Sequence, residues 1–264
     1  MYLICPVCGS PLTRTEHSAV CASRHCFDYA RSGYLNLLRG NGSAHGDNAE
    51  MVQARTAFLS TGAYAFLQDT LRTVLEEEPV ETFADLGCGE GYYTAVCPGR
   101  EKYGFDLSRS AVMRASKSDR TTQYVLASIF HLPLADHSMD AAMTCFAPAA
   151  GDEIARILKP GGRFVFVQPA QDHLYELKEI LYEHPYRNEE AMPPLPSVLE
   201  MEKEQIISRT FEADNTSLKN LFQMTPYAYK TGRAGAQRLD RISSLVLTAS
   251  FVIRVYRRSA EAVL

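Results

Sequence analysis

The sequence predicts an α/β fold: a Rossmann-like, doubly wound sheet with a small N-terminal metal-binding module. Short β-rich runs alternate with helical segments between Thr82 and Gln168, which is the pattern of a parallel sheet covered by helices on both faces. A glycine-rich loop follows the first of these runs, at the position where such sheets bind nucleotides. Four of the seven cysteines lie before Phe27, so the N-terminal segment differs in composition from the rest of the chain.

Composition and length indicate a folded protein with room for one large domain and a small appendage. The chain has 264 residues, of which 46% are hydrophobic and 22% charged, which argues against an intrinsically disordered class. The N-terminus lacks the pattern of a signal peptide, and the longest apolar stretch, LVLTASFVI, is about half of the ~20 residues that a membrane span needs. We therefore expect a cytoplasmic protein that does not enter a membrane.

The net charge of −4 hides a polarity along the chain. Residues 1–40 carry a net +2 and residues 209–264 a net +5, whereas residues 41–208 carry −11. Basic ends of this kind could hold a polyanion such as RNA, because contacts from Lys and Arg to phosphates supply most non-specific affinity. Such imbalances are also common on ordinary solvated surfaces, so charge alone leaves both interpretations open.

Three regions follow from composition: a Cys- and His-rich N-terminal module (residues 1–37), a flexible linker (residues 38–50, LRGNGSAHGDNAE) and a main domain (residues 51–264). The main domain begins with a helical pair, MVQARTAFL and YAFLQDTLRTVL, separated by a break at Thr61 and Gly62. Strands are predicted next at TFADL, KYGFD, QYVLA, MDAAMTC and RFVFVQ, with helices from Ser108 and over DEIARILK. After Gln168 we predict helices over HLYELKEILY and NTSLKNLFQM, a Pro-rich break at MPPLP, and a β-rich tail, SSLVLTASFVIRVYRR.

The loop DLGCGEG places Asp85 ahead of three glycines, Gly87, Gly89 and Gly91. Glycines there permit a tight turn and let a ligand approach the backbone at the carboxyl end of the strand. A glycine loop by itself is also compatible with a dinucleotide site or with a plain turn. Asp106, at the end of the second strand and 21 residues beyond Asp85, is suited to binding ribose hydroxyls.

The acidic residue in this loop favours a cationic ligand. Asp85 suits the ammonium and sulfonium groups of S-adenosylmethionine, whereas NAD would bring two negative phosphates. The segments LPLADHSMDAA and LKPGGRFVF resemble the later motifs of class I methyltransferases, so we predict an S-adenosylmethionine-dependent methyltransferase domain. Many such proteins place an acid after the third strand to meet the adenine amino group. This chain has Ala127-Ser128-Ile129 there, and we expect Ser128 or a backbone amide to substitute.

The N-terminal cysteines have the spacing of a zinc site. Cys5 and Cys8 form a CxxC pair, and Cys21 opens the segment CASRHC, which offers His25 or Cys26 as the fourth ligand. A segment this short builds little apolar core, so bound metal would supply much of its folding free energy, on the order of 10 kcal/mol. We expect a structural Zn²⁺, because a closed four-ligand site leaves no position for a substrate. A CxxC redox pair is the alternative.

With both motifs in place, the chain resembles the RlmA family of 23S ribosomal RNA guanine-N1 methyltransferases, one branch of which is associated with macrolide resistance. The matching segments are CPVC, Cys21 with the pair Arg24-His25, FDYARSGYLNLL, AEMVQARTAFLSTGAY, DLGCGEGYYT, QPAQDHLYELK and QMTPYAY. The resemblance implies that the zinc ligands are Cys5, Cys8, Cys21 and His25. It also implies cofactor contacts from Tyr64, Gly89, Glu90 and His173.

The resemblance further implies methyl transfer from S-adenosylmethionine to N1 of a guanine in a hairpin of 23S rRNA, which would be the partner. Guanine N1 carries a proton at neutral pH, so a base or stabilisation of charge at O6 is needed, and the sequence identifies no base. Phe146 and Pro148 could stack on a nucleobase, and Thr225 and Tyr227 could line the pocket, but loop packing explains all four equally well. Two alternatives stay open: methylation of a small molecule, and a non-catalytic protein that binds cofactor or RNA. A homodimer also stays open.

Overall fold

The N-terminal module contains a small antiparallel sheet with the strand order β1-β2-β3. Its strands are β1 (Leu12–Arg14), β2 (Ser18–Cys21) and β3 (Cys26–Asp28). The computed structural model of the chain describes residues 1–38 and 46–260, with the backbone alone at residues 229–230 and 233–234. Gly9 follows the CxxC pair with φ of +73°, a conformation that favours glycine, and its N–H donates to the Cys5 carbonyl at 2.8 Å. This turn brings the two cysteines to the same side of the loop.

An eight-stranded mixed sheet forms the centre of the molecule. Its strands in chain order are β4 (Leu35–Asn36), β5 (Thr82–Leu86), β6 (Glu101–Asp106), β7 (Thr122–Leu126), β8 (Met139–Cys145), β9 (Leu158–Pro169), β10 (Leu199–Asp214) and β11 (Ser244–Arg258). In space the order is β10-β11-β9-β8-β5-β6-β7-β4. The pairs from β9 to β4 are parallel, and β11 is antiparallel to both of its neighbours. The Rossmann-like doubly wound sheet predicted from the sequence is confirmed. Its order reverses between β5 and β8, which is where such sheets open a crevice for a ligand.

The helices pack around this sheet, and side-chain caps set the start of several. They are α1 (Ala49–Leu59), α2 (Ala65–Glu76), α3 (Arg109–Ser118), α4 (Gly151–Ile157), α5 (Tyr175–Leu181), α6 (Asn215–Met224), α7 (Tyr227–Lys230) and α8 (Arg233–Leu239). The side chain of Asn48 accepts from the N–H of Met51 at 2.9 Å to cap α1, and Ser108 accepts from the N–H of Ala111 at 3.2 Å to cap α3. The predicted helical pair and the predicted helix from Ser108 are therefore confirmed. No helix in the described part of the chain combines the length and the hydropathy that crossing a bilayer requires.

The longest strand, β10, is not among the elements predicted from the sequence. It pairs with β11 from Leu199 opposite Arg258 to Asp214 opposite Ser244, and it forms one edge of the sheet. Most of its residues are exposed on both faces, so charged residues interrupt the alternation by which a half-buried strand is recognised. The short helices α7 and α8 are likewise absent from the sequence predictions.

The N-terminal module shares its apolar core with the main domain. Leu35 of β4 pairs in parallel with Val125 of β7, and Leu3 forms an isolated antiparallel bridge with Leu134. Leu3 and Leu12 are buried in the same cluster as Val125 and Leu134. The proposed boundary at residue 37 therefore follows a strand of the main sheet. Residues 39–45 of the predicted linker lie outside the described residues, and its last two residues already belong to α1.

Several cations of the basic C-terminal segment have partners within the fold. Arg254 pairs with Glu204 at 2.5 Å, and Lys219 pairs with Asp240 at 2.9 Å. Arg257 pairs with Glu78 and Glu202, Arg238 donates to the carbonyls of Ile180 and Leu181, and Arg258 donates to that of Leu158. Three of the nine cations in residues 209–264 therefore have acidic partners within the described part of the chain, and this lowers the charge that the segment can offer to RNA phosphates.

Candidate cofactor cavity and metal centre

A cavity of about 680 Å³ opens at the carboxyl ends of β5, β6 and β8. It is lined by the glycine loop after β5, the segment around α1, the turns after β8 and β9, and the start of α7. Seven residues predicted to bind cofactor line it: Tyr64, Asp85, Gly87, Gly89, Glu90, Asp106 and His173. All four pocket candidates, Phe146, Pro148, Thr225 and Tyr227, line the same cavity. Residues far apart in the sequence thus share one wall, although their chemical roles stay predictions.

The glycine loop needs its glycines for conformation and for space. Gly87 and Gly89 have φ of +85° and +53°, in the left-handed region that other residues enter at a cost. A Cβ on Gly87 would lie 2.4 Å from the Cβ of Ala147, whereas the nearest atom to a Cβ on Gly89 would be 3.8 Å away, on Arg55. Gly87 is therefore fixed by packing of β5 against the turn after β8, and Gly89 leaves open backbone toward the cavity.

Asp85 is buried at the floor of the cavity with only half of its carboxylate satisfied. The hydroxyl of Thr94 donates to Oδ2 at 2.6 Å, and Oδ1 is buried without a hydrogen-bond partner. Burial raises the pKa of Asp85 to about 7, and the hydrogen bond from Thr94 acts in the opposite direction. An unsatisfied buried acceptor of this kind costs free energy until a donor reaches it.

Asp106 and Glu90 form the neighbouring part of the wall. Asp106 accepts from the N–H of Gly89 at 2.9 Å and from that of Ser108 at 2.7 Å, which ties the end of β6 to the glycine loop. Oε1 of Glu90 is buried without a hydrogen-bond partner, and its Oε2 lies 3.7 Å from Nη1 of Arg55. Burial raises the pKa of both carboxyls. The loop therefore presents acceptors to the cavity.

Arg55 of α1 is the one cation among the described residues of this wall, and it is not among the site residues predicted from the sequence. It pairs with Asp47 and approaches Glu90, and its Nη2 lies 3.4 Å from the carbonyl oxygen of Met224. It thereby links the start of α1, the glycine loop and the end of α6. The only signal in the sequence was the segment EMVQAR, which the family resemblance contained without assigning a role to the arginine.

The wall suits a cationic, hydroxyl-bearing cofactor better than a dinucleotide. Among the described residues that line the cavity, four are carboxylates and one is a guanidinium: Asp47, Asp85, Glu90, Asp106 and Arg55. The unpartnered oxygens of Asp85 and Glu90 can accept from an ammonium or from hydroxyls, whereas phosphates would be repelled. The hydroxyl of Tyr93, also buried without a hydrogen-bond partner, lines the cavity and could donate. The residues present therefore fit S-adenosylmethionine.

Tyr64 and His173 meet on the far side of the cavity. Tyr64 precedes α2 and His173 follows β9, and their side chains lie 3.3 Å apart from Oη to Nε2. The N–H of Ser250 donates to Nδ1 of His173 at 3.2 Å. Burial, with a smaller contribution from Lys178, lowers the pKa of His173 to about 3, so its ring is neutral. Leu174, the next residue, has φ of +54°, and this turn begins α5 after the histidine.

The aromatic part of the wall is open to solvent. Phe146 has φ of +63°, a strained conformation for a bulky residue, and its N–H donates to the carbonyl of Val167 at 3.0 Å. The residue is 43% exposed, and its ring lies 5.3 Å from that of Phe251 and 6.1 Å from that of Tyr93. Tyr227 is buried opposite, with Nζ of Lys178 at 5.6 Å from its ring. The hydroxyl of Thr225 donates to the carbonyl of Phe222 at 2.8 Å at the end of α6.

Two residues predicted to bind cofactor do not line the cavity. A Cβ on Gly91 would lie 2.4 Å from the hydroxyl of Tyr124, so this glycine is required for packing of the loop against β7. The hydroxyl of Ser128 accepts from the N–H of Phe130 at 3.2 Å, which stabilises the turn after β7. The residues after it, Ile129 and the 54%-exposed Phe130, line the cavity instead. A cofactor contact from Gly91 or Ser128 stays a prediction.

The N-terminal cysteines and His25 form a four-residue cluster with the dimensions of a zinc site. Nδ1 of His25 lies 3.5 Å from Sγ of Cys5 and 3.4 Å from Sγ of Cys21, and Cys8 and Cys21 are 3.7 Å apart. All four ligand atoms lie within 4.8 Å of one another. A tetrahedron with the ~2.3 Å Zn–S distance has edges of about 3.8 Å, so these spacings fit a single Zn²⁺. Hydrogen bonds from Ser10 lower the pKa of Cys8 to about 5, which favours the thiolate that binds metal.

The structure separates the two candidates for the fourth ligand. Arg24 has φ of +64°, and its N–H donates to the carbonyl of Cys21 at 2.9 Å, which closes a turn that directs His25 to the cluster. Cys26 is exposed at the start of β3, and its thiol lies 4.0 Å from a carboxylate oxygen of Asp28. The geometry therefore selects His25 and leaves Cys26 outside the cluster.

Two protein families match separate parts of the chain. Residues 3–41 match the family described as RlmA, N-terminal, which is a zinc ribbon, and residues 84–166 match a methyltransferase domain. The first match contains the cysteine and histidine cluster, and the second contains the glycine loop and Asp106. The cofactors predicted from the sequence, S-adenosylmethionine and Zn²⁺, are thus confirmed at the level of the domains.

Three relatives are similar to this chain over about two thirds of its length or more. A 23S rRNA (guanine(748)-N(1))-methyltransferase of Streptomyces fradiae is 37% identical over 189 residues, which cover 68% of each chain. A protein of Micromonospora griseorubida, named for the same guanine-N1 methylation of 23S rRNA, is 34% identical over 205 residues, 68% of this chain and 70% of its own. One of Bacillus subtilis, also named for that activity, is 27% identical over 270 residues, 95% of both chains.

Proposed function

This chain belongs to the RlmA-type family of S-adenosylmethionine-dependent 23S rRNA (guanine-N1)-methyltransferases, and we propose that it methylates N1 of a guanine in 23S rRNA. One observation carries the proposal: a single cavity joins an acidic, polar half to an aromatic half that is open to solvent. The first half has the chemistry for a cationic cofactor, and the second has room for a nucleobase.

The cofactor half is assigned to residues of the glycine loop and its neighbours. The free oxygen of Asp85 would accept from the cofactor's ammonium, and Asp106 would accept from the ribose hydroxyls. Glu90 would accept a further donor through its unpartnered oxygen. When bound, S-adenosylmethionine supplies an electrophilic methyl group on its sulfonium. The protein's tasks are then positioning and exclusion of water, because methyl transfer is an in-line displacement.

The substrate half is assigned to the exposed aromatic residues. The ring of Phe146 is held at the cavity mouth by its backbone and would stack on the target guanine. A guanine within an RNA hairpin has to leave its stack to reach the cavity, and an aromatic partner lowers the cost of that step. Pro148, Thr225 and Tyr227 would border the flipped base, since all three line the same region.

Methylation at N1 of guanine requires the site to deal with the proton that N1 carries. His173 is a poor base here, because Ser250 occupies Nδ1 and burial holds the ring neutral with its proton on Nε2. The hydroxyl of Tyr64 accepts from that Nε2–H and keeps its own hydrogen for a group in the cavity. We propose that this donor stabilises negative charge on the bound reactants, for which guanine O6 is the candidate.

A transfer assay separates this proposal from its alternatives. Purified protein, methyl-labelled S-adenosylmethionine and unmodified 23S rRNA should give label in the RNA, and transfer should weaken steeply between 50 and 200 mM salt because phosphate contacts are screened. A small-molecule methyltransferase would label no RNA and would show little dependence on salt. A non-catalytic protein would bind the cofactor without any transfer. Either of these results would reject the proposed reaction.

Location, assembly and resistance follow as further proposals. We place the enzyme in the cytoplasm, where 23S rRNA is accessible to it. Sedimentation of the purified chain tests the homodimer that the sequence leaves open. Comparison of macrolide susceptibility in cells with and without the active protein tests the association with resistance, and equal susceptibility would remove it.

A further inference from the structure

The segment FDYARSGYLNLL has no role in the cavity described above, and it borders a second cavity of about 490 Å³. The N-terminal module contributes Ala30, Arg31, Ser32 and Tyr34 to its walls, and the main domain contributes Met113, Lys117 and Arg120. The cavity therefore lies at the junction of the module and the domain, where β4 pairs with β7. We call it the junction cleft.

The charge of the junction cleft is opposite to that of the cofactor cavity. Its walls carry three cations, Arg31, Lys117 and Arg120, and none of the described residues lining it is a carboxylate. Within residues 1–38 and 46–260, these three cations take part in no ion pair. Like charges gathered in one cleft repel each other unless an anion joins them. The middle of the chain, which supplies two of them, is otherwise strongly acidic.

The acidic residue nearest in sequence to Lys117 and Arg120 is Asp119, and both of its carboxylate oxygens accept hydrogen bonds from other residues. Its Oδ1 accepts from the N–H and the hydroxyl of Thr121 at 2.8 and 2.7 Å, and its Oδ2 accepts from the hydroxyl of Tyr124 at 3.1 Å. These bonds hold the carboxylate in the turn that leads into β7. Among the described residues, Asp119 forms no ion pair with Lys117 or Arg120.

The cleft is also held in shape by the contact between its two halves. Nη1 of Arg120 donates to the carbonyl of Ser32 at 2.8 Å, and the hydroxyls of Ser116 and Ser32 are 3.0 Å apart. Gly33 has φ of +101°, and a Cβ there would lie 3.2 Å from Nη1 of Arg120. The guanidinium of Arg120 is thus fixed at one edge, and within residues 1–38 and 46–260 its other N–H groups have no hydrogen-bond partner, which is suited to recognition of a phosphate.

Helix α3 connects the junction cleft with the cofactor cavity. It begins three residues after Asp106, which lines the cavity, and it reaches Lys117 near its end. Ten helical residues span roughly 15 Å, which a stacked strand covers in about four or five nucleotides at ~3.4 Å each. To reach the cleft, an RNA that enters the cavity would therefore follow α3 from its start beside the cofactor half to its end.

We propose that the junction cleft binds a backbone phosphate of the substrate RNA through Arg31, Lys117 and Arg120. This rests on the proposed function, since it assumes an RNA substrate. The zinc ribbon then contributes to RNA binding at its seam with the main domain, where Zn²⁺ would keep Arg31 and Ser32 in register with Arg120.

The double variant Arg31→Ala/Lys117→Ala tests the proposal, with Arg241→Ala as a control that removes an exposed arginine outside both cavities. We expect the double variant to bind unmodified 23S rRNA roughly tenfold more weakly and its slope of log affinity against log salt to fall by about two. KM for the RNA should rise while kcat and cofactor affinity stay unchanged. Arg31→Lys/Lys117→Arg, which keeps both charges, should bind like the wild type.

Each contrary result has a separate meaning. Wild-type affinity and salt slope in the double variant, with the wild-type protein methylating the RNA, would overturn the cleft and leave the proposed function intact. A wild-type protein that neither binds nor methylates 23S rRNA would overturn both. If inorganic phosphate raises the Tm of the wild type but not of the double variant, while both bind RNA equally, the cleft holds a free phosphate and the assignment to RNA is wrong.

Discussion

Oη of Tyr64 lies 3.3 Å from Nε2 of His173, and this hydrogen bond connects the start of α2 with the turn after β9. Because the N–H of Ser250 donates to Nδ1, the neutral ring carries its proton on Nε2 and donates to the tyrosine. The tyrosine hydroxyl is then oriented with its hydrogen free for a bound group. A pair that lies 109 residues apart in the chain thus sets the polarity of one cavity wall.

Stability at acidic pH should depend on His173. Its pKa is about 3 in the folded protein and near 6.5 when unfolded, so the unfolded state binds the extra proton and stability falls as pH decreases below 6.5. One unit below that value the loss from this residue is about 1 kcal/mol. Thermal unfolding of the wild type and of His173→Asn at pH 7 and 5.5 checks this. The variant should lose less stability than the wild type, and equal losses would contradict the buried neutral ring.

Cofactor affinity should depend on the ionisation of Asp85. Its pKa is about 7 in the free protein, and an ammonium beside Oδ1 favours the carboxylate, so binding of S-adenosylhomocysteine should strengthen as pH rises from 5.5 to 7.5. The change should approach tenfold per pH unit below 7. Calorimetric titration of Asp85→Asn should show weak binding without this pH dependence. Asp69→Asn, an exposed residue of α2, is the control and should behave as the wild type. A pH-independent wild type would contradict the role of Asp85.

Zinc content should distinguish His25 from its neighbour. His25→Ala should lose the bound metal, because it removes one of four ligands, whereas Cys26→Ser should keep one equivalent. Since the module shares its core with β7, loss of the metal should lower the Tm of the whole chain rather than only loosen residues 1–37. Metal analysis together with thermal unfolding measures both effects. Loss of zinc in Cys26→Ser would instead identify the thiol of Cys26 as the fourth ligand.

The glycine loop should tolerate an alanine at Gly89 better than one at Gly87. In Gly87→Ala the new methyl would lie 2.4 Å from Ala147, and φ is +85°, so the loop must move, with a loss of several kcal/mol in stability. Gly89→Ala meets no atom closer than 3.8 Å and should cost only about 1–2 kcal/mol. Unfolding in urea gives both values. Equal losses of stability at the two positions would show that backbone strain, and not packing, determines the effect of an alanine.

The parts of the site that depend on local chemistry were accessible from the sequence. Asp85 and Asp106 lie at the ends of predicted strands, and Cys5 and Cys8 have the spacing of metal ligands, so the sequence alone predicts that they lie in the two sites. Arg55 was missed because it approaches Glu90 only when α1 and the glycine loop meet, and Tyr93 was missed because its burial beside the cavity is set by the fold. Long-range packing carries no signature in one sequence.

Elements at the sheet edge and at the interface between module and domain are the other features that the sequence did not predict. Strand β10 is exposed on both faces, so its polar residues hide the strand pattern, and the partners of Arg254 and Arg257 are visible only once β10 and β11 pair. The same limit applies to the N-terminal module. Leu3 and Leu12 look like the small core of an independent unit, whereas they complete the core of the main domain.

The identity of the methylated atom tests the central proposal most directly. Unmodified 23S rRNA treated with the enzyme and S-adenosylmethionine is digested to nucleosides and analysed by mass spectrometry, and reverse transcription maps the site. We predict one 1-methylguanosine per RNA and a single stop, because methylation of N1 blocks Watson–Crick pairing. Methyl label on another nucleoside, or on no nucleoside while the cofactor binds, would contradict the account.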